Sequence, residues 1–172
     1  MQQVRVTRDT NRGPKACHPQ QVGETVVNHF EAINKGNSDK AMTYVAPESG
    51  WYSITEGNPR DGGRHFVARD SDTLHEYFDL RVTVNEQIYL MEIDVDYERA
   101  RNLGHVAYTL LRTADDLDPF GNLAHGKGAI DCENRKIRVW SMAQALDSLR
   151  GISRICPGKP DPPEVGLVCA RG

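Results

Sequence analysis

The sequence predicts an α+β fold in which about three N-terminal helices pack on one face of a curved antiparallel sheet and enclose a cone. Three observations lead there. Helix-period apolar patterns fall early in the chain, alternating patterns fall late, and turn residues separate the late segments at hairpin spacing. Helices first and meandering strands after them favour two segregated layers over alternating βαβ units.

The elements follow in order. Residues 1–17 read as a lead-in, in which Val4 and Val6 alternate as in a short edge strand before the Gly13-Pro14 break. From Pro19 to Lys35, Val22, Val26, Val27, Phe30 and Ile33 recur at helical spacing and form one apolar stripe. Pro19 suits a first helical turn, and Gly36 fits a left-handed C-terminal cap. Asn37 or Ser38 then caps a second, short helix with Ala41, Met42 and Val45 on one face, and Pro47 stops it. Residues 50–55 read as a strand and the breaker-rich 56–65 as a loop. Asp70, Ser71 or Asp72 caps a third helix over 70–80, with Leu74, Tyr77 and Phe78 inward.

Strands dominate the rest. In 88–98, Tyr89, Met91, Ile93, Val95 and Tyr97 alternate with Leu90, Glu92, Asp94, Asp96 and Glu98, which reads as a half-buried strand with one acidic face. Residues 104–113, 122–133 and 136–146 are further strands, and Asn134-Arg135 stands where a tight turn belongs. In the last strand Trp140 and Met142 fall on one face, Ile137 and Val139 on the other. Both faces are then partly apolar, so the outer one is expected to be covered by a second copy of the chain.

With 172 residues the chain is expected to form one main domain over 18–147, between the lead-in and a Pro/Gly-rich tail at 148–172. A net charge of −3 and the lack of a basic block argue against nucleic acid. No apolar run approaches the roughly 20 residues of a membrane span, and no nucleotide or metal-ligand motif appears.

Four cysteines stand outside any CxxC pair. Cys156 and Cys169 bracket a segment with four prolines and two glycines, where a bridge worth roughly 3 kcal/mol would fix an otherwise loose loop. Cys17 and Cys132 then pair by exclusion. Two bridges imply an oxidising, extracytoplasmic compartment. The tail is expected to fold back on the domain, anchored by Ile152, Ile155, Val165, Leu167 and Val168.

"HFEAINKGNSDKAMTYVAPES" (29–49) resembles the motif that ends the first helix in SnoaL-like members of the NTF2-like superfamily. "AIDCENRKIRVWSMAQALD" (129–147) resembles their final hairpin, and "SDTLHEYF" lies between the two. The resemblance covers roughly residues 18–147. It implies a cone-shaped fold, a pocket reached from the open end, and a homodimer through the outer sheet face. It does not imply one chemistry, because the scaffold hosts many. Ketosteroid isomerases of this superfamily carry a Tyr where this chain has Phe30 and a base Asp where it has Ser53. Epoxide hydrolases similar to the limonene enzyme carry an acid near Met142. Phe cannot donate to an oxyanion, and neither Ser nor Met replaces a carboxylate.

The remaining candidates for chemistry are His65 beside the Gly62-Gly63 loop and its arginines, His125 between small residues, Tyr108, and Asp131 if it faces inward. For ligand contact the candidates are Phe30, Tyr108 and one of the neighbours Trp51 and Tyr52, which alternate faces. His29, one residue before the stripe position Phe30, is expected on the helix surface. The function expected is a pocket for a small, mostly apolar molecule, with no cofactor. The alternatives are a lyase, isomerase or cyclase using His and Tyr, and a protein-interaction module.

Overall fold

The computed structural model describes residues 5–9, 14–54, 65–117 and 122–144. The expected Cys156–Cys169 bridge, the path of the tail, the Gly62-Gly63 loop, and the side chains of Tyr52 and His65 lie outside these residues.

Seven strands form one sheet: β1 (Arg5–Asp9), β2 (Val45–Ile54), β3 (His65–Ala68), β4 (Gln87–Glu98), β5 (Leu103–Thr113), β6 (Asn122–Asp131) and β7 (Ile137–Gln144). Their order is β1-β4-β5-β6-β7-β2-β3. The central β4-β5-β6-β7 meander is antiparallel, as is β2-β3, whereas β1 joins β4 and β2 joins β7 in parallel. The curved sheet and its helices make the cone of an α+β fold. The expected lead-in contributes β1 to the sheet edge, and β3 is a strand that the breaker-rich sequence before it concealed.

Helices α1 (Pro19–Asn34), α2 (Ser38–Met42) and α3 (Ser71–Thr83) cover the inner face. Gly36, at φ 72°, ends α1. Its N–H reaches Ile33 O at 2.8 Å, and the Asn37 N–H reaches Ala32 O at 2.9 Å, which answers two carbonyls left over at the helix end. The Asn37 side chain then accepts from Lys40 N and caps α2. Asp70 does the same for α3 through Thr73 N, while Ser71 Oγ ties that end to Pro47 O. The Asn34 amide both donates to and accepts from the Ile88 backbone, so α1 docks on the start of β4 much as a strand would.

Three sequence expectations fail at irregularities in the strands. Met91 bulges out of β4, so Ile88 and Leu90 face inward, followed by Ile93 and Val95, while Met91 is exposed. Arg138 bulges out of β7, which turns Ile137 to the inner face beside Trp140 and Met142 and leaves only Val139 exposed. Pro47 does not stop a helix. It lies inside β2, in the stretch between Val45 and Gly50 where pairing with β7 lapses and no ladder N–H is needed.

A disulfide joins Cys17, just before α1, to Cys132 in the β6–β7 turn. Both cysteines are buried, and the bridge closes a sequence separation of 115 residues. No helix among the described residues is long and apolar enough to cross a membrane.

Candidate functional site

The inner face of the cone is aromatic. Tyr108 on β5 stacks on Trp140 of β7 with ring centres 4.2 Å apart, and Trp140 stacks on Trp51 of β2 at 5.7 Å. Phe78 of α3 meets Trp51 edge-on at 5.0 Å, and Phe30 of α1 meets Trp140 edge-on at 5.6 Å. Room for the stacked Tyr108 and Trp140 rings comes from glycines on β6. An ideal Cβ on Gly126 would fall on the Tyr108 hydroxyl and the Ser141 carbonyl, and one on Gly128 would sit 2.8 Å from Trp140 Cε3. The rings occupy the space that small residues at 126 and 128 leave, which is the close approach such glycines permit.

His29 corrects the expectation of a surface helix residue. It is fully buried between Phe30, Trp51 and Phe78. Its Nδ1 lies 3.0 Å from Ala41 O. A carbonyl only accepts, so Nδ1 carries the proton and Nε2 presents a lone pair. Burial pulls the imidazole pKa down from 6.5 to about 4, against a smaller upward pull from Ala41 O, so the ring is neutral at pH 7. Nε2 has no partner. Trp51 Nε1, Trp140 Nε1, Ser53 Oγ and Arg112 Nη2 are likewise buried and unpartnered.

At the end of the sheet where β4 starts and β5 ends lies a buried ionic network. Glu86 receives Arg81 Nε on one carboxylate oxygen and Arg112 Nε at 2.5 Å on the other. Asp116 takes Arg81 in a bidentate pair at 2.7 and 2.9 Å. Burial would raise the Glu86 pKa, but the two arginines outweigh it and hold the group below its usual range. Burial likewise opposes the charge on Arg81 and Arg112, and the carboxylates outweigh it there too.

The candidates read from sequence divide between the two faces. Tyr108 is inside, its hydroxyl donating to Ser141 O at 2.6 Å, and burial pushes its pKa well up. Phe30 and Trp51 are inside as well. His125 is on the outer face, 3.0 Å from Thr109 Oγ1, in a shallow depression of about 400 Å³ that also includes Asp94 and Lys127. Asp131 sits at the β6–β7 turn, where its carboxylate accepts from Glu133 N and Asn134 N and pairs with Arg138. Tyr108 also lines the depression that holds His125, but its hydroxyl is given to Ser141 O, and Asp131 lies apart from both. Among the described residues no cluster of three His, Cys, Asp or Glu side chains could hold a metal.

Of the buried polar residues that the sequence reading missed, two had a signal. His29 stands at the 22, 26, 29, 33 spacing of the apolar stripe. Arg112 continues the inward parity of Gly104, Val106, Tyr108 and Leu110.

Helices over an inwardly aromatic sheet, with this strand order, define the NTF2-like, cystatin-like fold, and the chain has that fold. Solved structures agree. The orange carotenoid protein of Anabaena (Nostoc) sp. PCC 7120, binding canthaxanthin, superposes with a TM-score of 0.56 at 10% identity over 82% of this chain. The chain spans only 38% of that protein's length. A cystatin-like protein of unknown function from Nostoc punctiforme matches with a TM-score of 0.59 at 10% identity, covering 77% of this chain and 95% of its own. A putative dehydratase of the NTF2-like family from Streptomyces avermitilis gives 0.57 at 14% identity, over 73% and 94% of the two chains. No protein-family model and no curated protein matches the sequence.

Proposed function

We propose that the chain binds a small, mostly apolar molecule inside the cone and carries no acid-base pair for catalysis there. One observation carries this reading. Buried polar atoms without partners (His29 Nε2, Trp51 Nε1, Ser53 Oγ, Trp140 Nε1 and Arg112 Nη2) are spread through an aromatic interior. Burying a polar group without a hydrogen bond costs roughly 1–3 kcal/mol, and native cores leave few such groups. A ligand with an apolar body and a few polar atoms would satisfy them, which is the composition of most small-molecule sites. That a protein of the same fold binds canthaxanthin supports the reading. Tyr108 is poorly placed as a catalytic acid, because its proton is already donated to Ser141 O.

Native mass spectrometry of the chain, isolated without organic solvent, tests this directly. The reading predicts a bound mass that solvent extraction removes. Protein that is ligand-free as isolated and takes up nothing from a lipophilic library would contradict it.

We also propose that a second copy covers the outer sheet face and that the protein works outside the cytoplasm. The acidic residues Glu92, Asp94, Asp96 and Glu98 lie on β4, and Lys127 and Arg138 on β6 and β7, so two antiparallel copies would set opposite charges together around Val139. Val139 is 51% exposed. Light scattering should give twice the chain mass, and Val139→Lys should reduce it to one. A wild-type monomer at all concentrations would contradict the assembly. The Cys17–Cys132 bridge supports the oxidising compartment.

A further inference from the structure

The hydrogen-bond pairing within the buried network is uneven. Arg81 gives its Nε to Glu86 and both terminal nitrogens to Asp116. Arg112 has only its Nε on the second Glu86 oxygen, and its Nη2 is buried with no partner. Two cations and two carboxylates balance in charge, yet every nitrogen of one guanidinium has a carboxylate partner and one nitrogen of the other has none. Arg112 cannot relieve this by losing its proton, since a guanidinium stays charged in proteins.

We infer that the interior takes an amphipathic organic acid, with Arg112 Nη2 receiving the carboxylate. The inference rests on the pocket reading above and specifies its ligand. A guanidinium only donates, so its missing partner is an acceptor, and an anionic acceptor makes the stronger bond. Arg112 lies on the inner face of β5, two residues from Leu110 and four from Tyr108, and all three are buried. An apolar body along Leu110, Ala124 and Met142 would thus carry its acid group to Arg112. A doubly charged phosphate fits less well, because Glu86 and Asp116 already offset the two arginines and a dianion would bury more uncompensated charge than a carboxylate.

Isothermal titration of the full chain with decanoate and with decan-1-ol, near pH 7.5, tests the inference. Charge-assisted hydrogen bonds exceed neutral ones enough to favour decanoate by about ten-fold or more. Arg112→Met should bring the two affinities together by weakening decanoate alone, and Arg112→Lys should restore part of the difference. Because Arg112→Met could fail to fold, the wild-type preference is also measured at about 0.5 M salt. A buried pair is screened little, whereas adsorption on surface arginines fades. Equal affinities in the wild type, a preference that salt abolishes, or one that survives Arg112→Met would overturn the inference and leave the pocket standing. Binding of neither probe would overturn both.

Discussion

The Tyr108 hydroxyl crosses over Gly126 and donates a 2.6 Å hydrogen bond to the backbone oxygen of Ser141, linking β5 to β7 across the strand between them. The crossing is possible only because position 126 has no side chain. Gly126→Ala should therefore destabilise the fold by about 1–3 kcal/mol, the usual cost of overpacking. Gly50→Ala, where nothing lies within 4 Å of the new Cβ, should be close to neutral. Urea denaturation of the two variants measures the difference, and equal midpoints would contradict the packing described.

Glu86 stands between two arginines with almost no exposure. Removing its charge by Glu86→Gln leaves Arg112 without a carboxylate, and breaking a buried pair typically costs about 3–5 kcal/mol. Chemical denaturation should show a loss of that order. A loss below about 1 kcal/mol would mean that water reaches the network.

His29 makes stability depend on pH. Its folded-state pKa of about 4 lies below the unfolded 6.5, so the unfolded chain binds a proton first as pH falls. The contribution is complete above pH 6.5 and is lost progressively down to pH 4, amounting to about 3 kcal/mol. Glu86 and Asp116, both held below their usual range, add a loss in the same direction only below about pH 4.5. Denaturant midpoints between pH 6.5 and 5 thus isolate His29, and His29→Phe should flatten the slope there. An unchanged slope in that variant would contradict the assignment.

Local chemistry made much of the fold legible in the sequence. Gly36 needed a left-handed backbone, Asn37 and Asp70 needed N–H groups to cap, and the parity of Val106, Tyr108 and Leu110 named the inner face of β5. Bulges were not legible, because Met91 and Arg138 are ordinary strand residues whose extra position is set by pairing with distant strands. For that reason Ile137 was expected on the wrong face. The interior polar groups were half visible. His29 and Arg112 occupied core positions in their own periodicities, but a charge or an imidazole at such a position reads as surface until its partners, Ala41 O and Glu86, are brought to it by the fold.

The chain has two tryptophans, Trp51 and Trp140, and both are in the aromatic interior with ring centres 5.7 Å apart. Their emission therefore reports on the cone itself. Titration with a lipophilic panel, following that emission, tests most directly whether the interior admits a ligand. The account predicts at least one compound that changes the emission saturably with one-to-one stoichiometry and raises the melting temperature. Emission that no compound alters, in a chain whose melting temperature stays fixed across the panel, would contradict it.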